Sequence, residues 1–201
     1  MYKYIMAALE SLEWMDLGSA KAYTPICSPI EGGDLIIGRD RRKFMTAVGM
    51  LGWLVNTGRP DVAYAHSRIA QHMASPTTAA MAAVKRCFKY LKRTAHYTLS
   101  VPLHDEDRHA AVPTDPYTLQ DGDWEFYCDS DFAGNNEPQN KRRSQNGYIA
   151  ISGGAPVYWA SKVSSVAFAH PDIGEAHVDV SSGAAEVYAC LLYTSPSPRD
   201  S

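Results

Sequence analysis

Two aspartates at the end of one predicted strand are the first candidates for chemistry. Residues 124–131 alternate apolar with other residues, which is the period of a β-strand, and Asp129 and Asp131 share the face opposite Trp124. Turn-forming residues follow at 133–136. A carboxylate at the end of a buried strand is unfavourable unless it has a role such as holding a metal ion, whereas a solvated strand end needs no such role. This strand alone leaves both interpretations open.

A run of cations on a predicted helix is the second candidate. The helix starts at 75–77, and its cations lie beside an apolar face of Val84, Cys87, Phe88 and Leu91; they are Lys85, Arg86, Lys89, Lys92 and Arg93. Residues 42–93 hold nine Lys or Arg and one Asp, while residues 101–131 hold nine Asp or Glu and one Arg. A basic helix without acidic residues predicts contact with nucleic-acid phosphates, and the alternative is a solvated charged face.

Other helices are predicted from apolar residues at helical spacing. The first covers residues 2–16, with a stripe at Ile5, Leu9, Leu12 and Met15 that Gly18 stops. The second has the stripe Phe44, Val48, Leu51 and Val55, ends at Gly58, and is followed by a third that opens at Pro60. His66 and His72 are interpreted as ordinary surface or stripe residues rather than metal ligands.

Two further strands and one helix complete the predicted elements. Residues 147–152 and 157–162 read as strands, with Gly153 and Gly154 as the hairpin turn between them. Ser181 and Ser182 cap a helix that carries Glu186 in its first turns. We predict a mixed α/β fold class (α+β overall), with a helical segment followed by three antiparallel strands and one helix.

Composition limits the classes of protein to which this chain can belong. The chain has 201 residues, 45% of them hydrophobic and a net charge of −3, which suits one globular domain or two small ones. It has no long apolar run and no cleavable signal sequence, so we expect neither a membrane span nor secretion. Four scattered cysteines favour a reduced, intracellular setting, cytoplasmic or nuclear.

Several motifs occur in a recognisable order between residues 4 and 189. They include R-P-D-V-A-Y-A at 59–65, A-V-K-R at 83–86, D-S-D-F-A-G at 129–134, W-A-S-K at 159–162 and S-S-G-A-A-E at 181–186. Their order resembles the Pol polyproteins of copia-type retrotransposons, in which a D-A-D-W-A-G motif opens the ribonuclease H domain. The polymerase motif Y-x-D-D is missing, so no polymerase activity is expected.

The resemblance implies roles for particular residues. Ribonuclease H of this family cleaves the RNA strand of an RNA–DNA hybrid with two Mg²⁺ ions. Asp129 and Glu186 would be the catalytic carboxylates, with Asp131 a further metal-ligand candidate, and Glu186 is preferred over position 184 because its spacing to Ala189 fits E-x-x-A. The hybrid's phosphates would lie on the basic helix and on Arg142 and Arg143.

The resemblance also divides the chain into segments. Residues 1–29 resemble the tail of the reverse transcriptase region, 30–100 a basic helical connection region, 101–123 an acidic linker, and 124–189 a partial ribonuclease H-like domain. Residues 190–201 can be back-translated into a transposase-type sequencing adapter and are excluded from the fold argument. A natural Pro/Ser-rich tail is the alternative for that segment.

The expected function is therefore that of a fragment of a reverse transcriptase/ribonuclease H polyprotein. The parent activity would be metal-dependent cleavage of RNA in hybrids, and this fragment is expected to be inactive because it has too few carboxylates to hold two Mg²⁺ ions. The alternatives are a non-catalytic nucleic-acid-binding module that uses the basic helices of 42–93, or a decayed element without a selected function. The expected partners are RNA–DNA hybrid or duplex nucleic acid and the rest of the Pol polyprotein, with no membrane.

Overall fold

The computed structural model describes residues 1–18, 21–26, 29–99, 124–131 and 144–163, together with the backbone at 168–169 and 176–177. The chain divides into two compact units, residues 1–99 and 100–201. The segment boundaries given by the family resemblance stay a prediction.

Four α-helices make up the described part of the first unit. They are α1 (Tyr2–Ser11), α2 (Gly38–Gly58), α3 (Ala63–Ala70) and α4 (Thr78–Arg93), with a short 3₁₀ turn at Pro60–Val62 between α2 and α3. The core lies between the predicted apolar stripes of these helices. Phe44 and Leu51 of α2 and Phe88 and Leu91 of α4 are all fully buried.

The start of α4 is fixed by local hydrogen bonds. The Thr77 side chain accepts a bond from the Ala80 N–H at 3.3 Å, as an N-cap residue does. The Thr78 N–H donates to the Asp34 carbonyl at 2.9 Å, and Gly33 lies against this helix start with a φ of +86°. A Cβ at Gly33 would collide with the Thr78 hydroxyl, so a glycine is required there.

The first helix is shorter than the sequence predicts. It ends at Ser11, because Glu13 takes up the left-handed conformation at φ +58° and the Trp14 N–H donates to the Leu9 carbonyl at 2.8 Å. This is a Schellman ending with Glu13 where glycine is usual. The predicted stop at Gly18 was wrong, and Met15, outside the helix, is 43% exposed.

The second unit contains an antiparallel sheet in the order β1-β2-β3. The strands are β1 (Trp124–Asp131), β2 (Gln145–Ser152) and β3 (Ala155–Val163). Gly153 and Gly154 turn the chain between β2 and β3 with φ values of +55° and +76°, as the predicted hairpin requires. A separate pair is formed by β4 (Phe168–Ala169) and β5 (Ala176–His177).

The predicted mixed α/β class is confirmed, with a helical part followed by three antiparallel strands. This arrangement is consistent with a truncated ribonuclease H-like fold. The predicted helix after Ser182 lies outside the described residues, as do the acidic linker of 101–123 and the segment 190–201.

Candidate functional site

Asp129 lies near the end of β1 with its side chain exposed. Its Oδ1 accepts a hydrogen bond from the Ser130 N–H at 2.8 Å, which fixes one oxygen and leaves Oδ2 for another partner. Across the sheet Asp129 pairs with Gly147 of β2. Because that glycine has no side chain, no neighbouring group on β2 covers the carboxylate directly opposite it.

Asp131 is on the same face of β1 as Asp129, since the two are separated by one residue. It is exposed and pairs with Gln145 at the end of the sheet. Further along this face, Glu125 accepts a 2.6 Å hydrogen bond from the Tyr127 hydroxyl. Carboxylate oxygens are the donors that Mg²⁺ prefers, so the chemistry of this face fits that ion.

The described residues do not bring three candidate metal ligands together anywhere. Asp129 and Asp131 are the two carboxylates at the end of this strand face, and Glu186, the second predicted catalytic residue, lies outside the part of the chain that the structure describes. The same is true of Arg142 and Arg143.

The cations of α4 contact the irregular segment that follows α1. Lys89 Nζ donates to the Leu17 carbonyl at 3.0 Å and Lys92 Nζ to the Met15 carbonyl at 2.6 Å. Arg93 Nη1 reaches the Ala22 carbonyl at 3.4 Å. The basic helix thus holds Met15, Leu17 and Ala22 against itself, a role that was not predicted from the sequence.

Two aromatic rings complete these contacts. Lys85 Nζ lies 5.8 Å from the Trp14 ring centroid, and the Arg93 guanidinium lies 4.0 Å from that of Tyr23. Where the structure describes the chain, ion pairs join Glu13 to Arg39 and Lys43, and none uses a cation of α4. Within the described ranges all the partners of these cations are neutral, so no described residue compensates the positive charge of the helix.

A cleft of about 310 Å³ opens beside α4. Its lining consists of four cations and three apolar residues: Lys21, Lys85, Arg86, Lys89, Leu17, Ala22 and Ala82. Three of these cations were predicted from the sequence, and Lys21 was not. Lys21 lies in an irregular segment without periodicity, where its charge was the only available signal.

Two cations of residues 42–93 are buried and cannot contact a phosphate from solution. Arg59 is 1% exposed and Arg68 is 8% exposed. Arg59 makes a two-pronged ion pair with Asp61, through Nε at 2.9 Å and Nη2 at 2.7 Å. It also donates to the Thr94 carbonyl and hydroxyl at 3.1 and 2.6 Å, which joins the end of α2 to the end of α4.

The Asp61 carboxylate has a second donor in Tyr90, whose hydroxyl lies 2.9 Å from Oδ2. Burial acts to raise the pKa of Asp61, but the hydrogen bonds and charge of Arg59, with the bond from Tyr90, outweigh burial and hold that pKa below its ordinary value. This network is structural, and the usable positive charge of residues 42–93 is therefore smaller than the sequence predicts.

Comparison with curated proteins shows what this chain is similar to. The chain is 32% identical over 124 residues to a retrovirus-related Pol polyprotein from transposon RE1 of Arabidopsis thaliana, an alignment that covers 61% of this chain and 7% of the relative. It is also 27% identical over 124 residues to a transposon Ty5-1 protein of Saccharomyces cerevisiae, covering 62% of this chain and 34% of the relative. These similarities support a fragment of a copia-type retrotransposon Pol polyprotein.

A third relative of this chain carries a different kind of name. Secreted RxLR effector protein 161 of Plasmopara viticola is 29% identical over 119 residues, covering 59% of this chain and 71% of the relative. The alignment with this chain spans only 7% of the length of the Arabidopsis polyprotein. No protein-family profile and no solved structure matches this chain. In the described part of the chain, no helix is both long and apolar enough to cross a bilayer.

Proposed function

We propose that the second unit belongs to a ribonuclease H in which Asp129 is the first metal-holding carboxylate. The parent polyprotein would cleave the RNA strand of RNA–DNA hybrids. The observation that carries this proposal is the placement of Asp129 in a chain similar to Pol: an exposed carboxylate on the first strand of a β1-β2-β3 antiparallel sheet, opposite a glycine. The same proposal places the protein inside the cell, in the cytoplasm or nucleus, where such hybrids form.

Asp129 and Glu186 would hold Mg²⁺, with Asp131 beside them on the strand. When bound, the two ions of such a site supply an activated water and stabilise the leaving oxygen. The work of Asp129 is to present one oxygen while Ser130 fixes the other, so that the carboxylate is oriented before the ion arrives.

We expect the 201-residue chain on its own to be inactive. Among the described residues only Asp129 and Asp131 lie at this end of the strand face, and two carboxylates hold a strongly hydrated ion weakly. Weak divalent-ion binding without hybrid cleavage is therefore the expected behaviour.

Mn²⁺ broadening of amide NMR signals tests the role of Asp129. In the wild-type chain, signals around residues 129–131 should broaden at low Mn²⁺, and Asp129→Asn should abolish the effect while Glu125→Gln, on the same face, preserves it. Equal broadening in Asp129→Asn would refute the metal role. A parallel assay with a labelled RNA–DNA hybrid and Mg²⁺ should show no cleavage, and cleavage that Asp129→Asn removes would overturn only the proposed inactivity.

A second candidate function is nucleic-acid binding by the helical unit. The observation that favours it is the uncompensated charge of α4, whose five cations contact neutral groups in the described residues. Phosphates of a duplex or hybrid would form ion pairs with those cations from the solvent side. The other partner in this proposal is the rest of the Pol polyprotein.

Fluorescence anisotropy with a labelled duplex at several salt concentrations tests this binding. Neutralising Lys85, Lys89 and Lys92 to Gln should lower the affinity and reduce the slope of log K against log salt by about 2–3, because each lost phosphate contact removes roughly one released counterion. Asp129→Asn is the matched control and should bind like the wild type. Binding that survives the triple neutralisation would exclude the basic helix as the binding surface.

A further inference from the structure

We propose that the cleft beside α4 binds one phosphate of a nucleic-acid backbone, an inference that rests on the nucleic-acid binding proposed above. Its volume of about 310 Å³ lies at the lower end of the range of small-ligand sites, roughly 300–1,000 Å³. That space fits a phosphodiester with its flanking sugars.

The charge of the lining selects an anion. Lys21, Lys85, Arg86 and Lys89 line the cleft, and no acidic residue is among its lining residues. The nearest carboxylate along the chain is that of Asp16, and it accepts a hydrogen bond from the Gly18 N–H at 3.2 Å. Four cations around one small opening raise the local concentration of any anion that fits.

Arg86 has a donor that no described group satisfies. Its Nε is buried without a hydrogen-bond partner among the described residues, while Nη2 donates to the Thr24 hydroxyl at 3.2 Å. A buried donor left unpaired costs about 1–3 kcal/mol. A phosphate oxygen in the cleft is an acceptor of the kind this position lacks, and the bond to Thr24 holds the guanidinium in place for it.

Two neighbouring cations are also held in position. Lys89 donates one of its three N–H groups to the Leu17 carbonyl, which leaves two for a ligand. Lys85 is positioned by the Trp14 ring. Side chains that are ordered before the ligand arrives lose less entropy on binding.

The position of the cleft on α4 favours a polymer over a free anion. Lys85, Lys89 and Lys92 follow one another at i, i+4 and i+7, which places them along one side of the helix. A backbone anchored in the cleft would therefore meet a further cation as it continues toward the end of α4. Inorganic phosphate would gain nothing from that cation.

The affinity test compares two single neutralisations in the full chain. Lys21→Gln removes a cleft cation, and Arg42→Gln removes an exposed cation of α2 that does not line the cleft. One fewer released counterion lowers duplex affinity about eightfold near 0.1 M salt. We expect that loss for Lys21→Gln and less than about a twofold loss for Arg42→Gln.

The outcomes separate the two proposals. If the wild-type chain does not bind the duplex even at low salt, the nucleic-acid function itself fails. If the duplex binds but both variants weaken it equally, general charge explains the binding and the cleft inference is overturned while the function stands.

A second measurement observes the cleft directly. The Arg86 Nε–H NMR signal, identified by its loss in Arg86→Lys, should shift when an oligonucleotide is added. The same concentration of inorganic phosphate should leave it nearly unchanged. No shift with saturating oligonucleotide would refute phosphate binding at this site, and an equal shift with inorganic phosphate would refute the choice of a backbone phosphate.

Discussion

Arg59 and Asp61 should behave as a buried ion pair, in which removal of one partner destabilises the folded state. Arg59 is 1% exposed and Asp61 is its one ionic partner in the described part of the chain, whereas the Asp61 side chain is 32% exposed. Asp61→Asn removes the negative charge and leaves the guanidinium buried against Thr94 and Tyr90. The stability lost in Asp61→Asn therefore reflects mainly the cost of a buried, uncompensated charge and not the loss of one contact.

The expected magnitude follows from burial. Breaking a fully buried pair by removing one partner costs about 3–5 kcal/mol. Because a third of the Asp61 side chain reaches solvent, we expect Asp61→Asn to cost about 2–3 kcal/mol in the free energy of unfolding. The double variant Arg59→Met/Asp61→Asn should regain at least about 1 kcal/mol over Asp61→Asn, because it removes the buried charge as well.

Chemical denaturation followed by helical circular dichroism gives these free energies. Glu13→Gln is the matched control, since it breaks ion pairs to Arg39 and Lys43 whose carboxylate is 63% exposed, and its effect should be much smaller. If the double variant were as unstable as the sum of the two single variants, the argument from an uncompensated buried charge would be wrong.

The same pair predicts a pH dependence. The folded pKa of Asp61 lies below its ordinary value of 3.8, so its contribution is fully present above that value and is lost as the pH falls through the folded pKa. The stability difference between the wild type and Asp61→Asn should therefore shrink as the pH is lowered below about 4.

Two other positions give matched tests of packing and ionisation. Gly33→Ala should lower the free energy of unfolding by about 1–3 kcal/mol more than Gly32→Ala. Both glycines have positive φ, but of the two only Gly33 faces the Thr78 hydroxyl. Equal losses in the two variants would contradict the predicted collision. Burial holds the pKa of His66 below 6.5, so the wild type should lose stability as the pH falls below 6.5, and His66→Gln should lose less. Chemical denaturation at pH 7.5 and 5.5 measures both losses. Equal losses in the two proteins would contradict the role of His66.

The helices and strands could be predicted from the sequence wherever one face of an element is apolar. Val84 and Phe88 repeat at helical spacing and are fully buried, and the Gly153–Gly154 turn sits between the two predicted strands. Such patterns are local, because helical and strand periods are fixed by backbone geometry. The end of α1 escaped prediction, since it depends on Glu13 adopting a conformation that usually requires glycine.

The contacts of the cations could not be predicted in the same way. Lys89 and Leu17 are 72 residues apart, and Lys92 and Met15 are 77 apart. The acceptors are main-chain carbonyls in a segment without periodicity, so no residue type in that segment signals the contact. The burial of Arg59 was missed for a related reason, because its partner Thr94 belongs to the far end of another helix.

The attachment of Met15, Leu17 and Ala22 to α4 has a consequence for sequence variation. Each acceptor at Met15, Leu17 and Ala22 is a carbonyl oxygen, which every amino acid possesses. Exposed positions of the segment, such as Met15, can therefore exchange side chains freely during evolution without losing the attachment, while the lysines and the arginine that donate to it cannot. Related chains would be expected to drift in the held segment and to keep the charge on the helix that holds it.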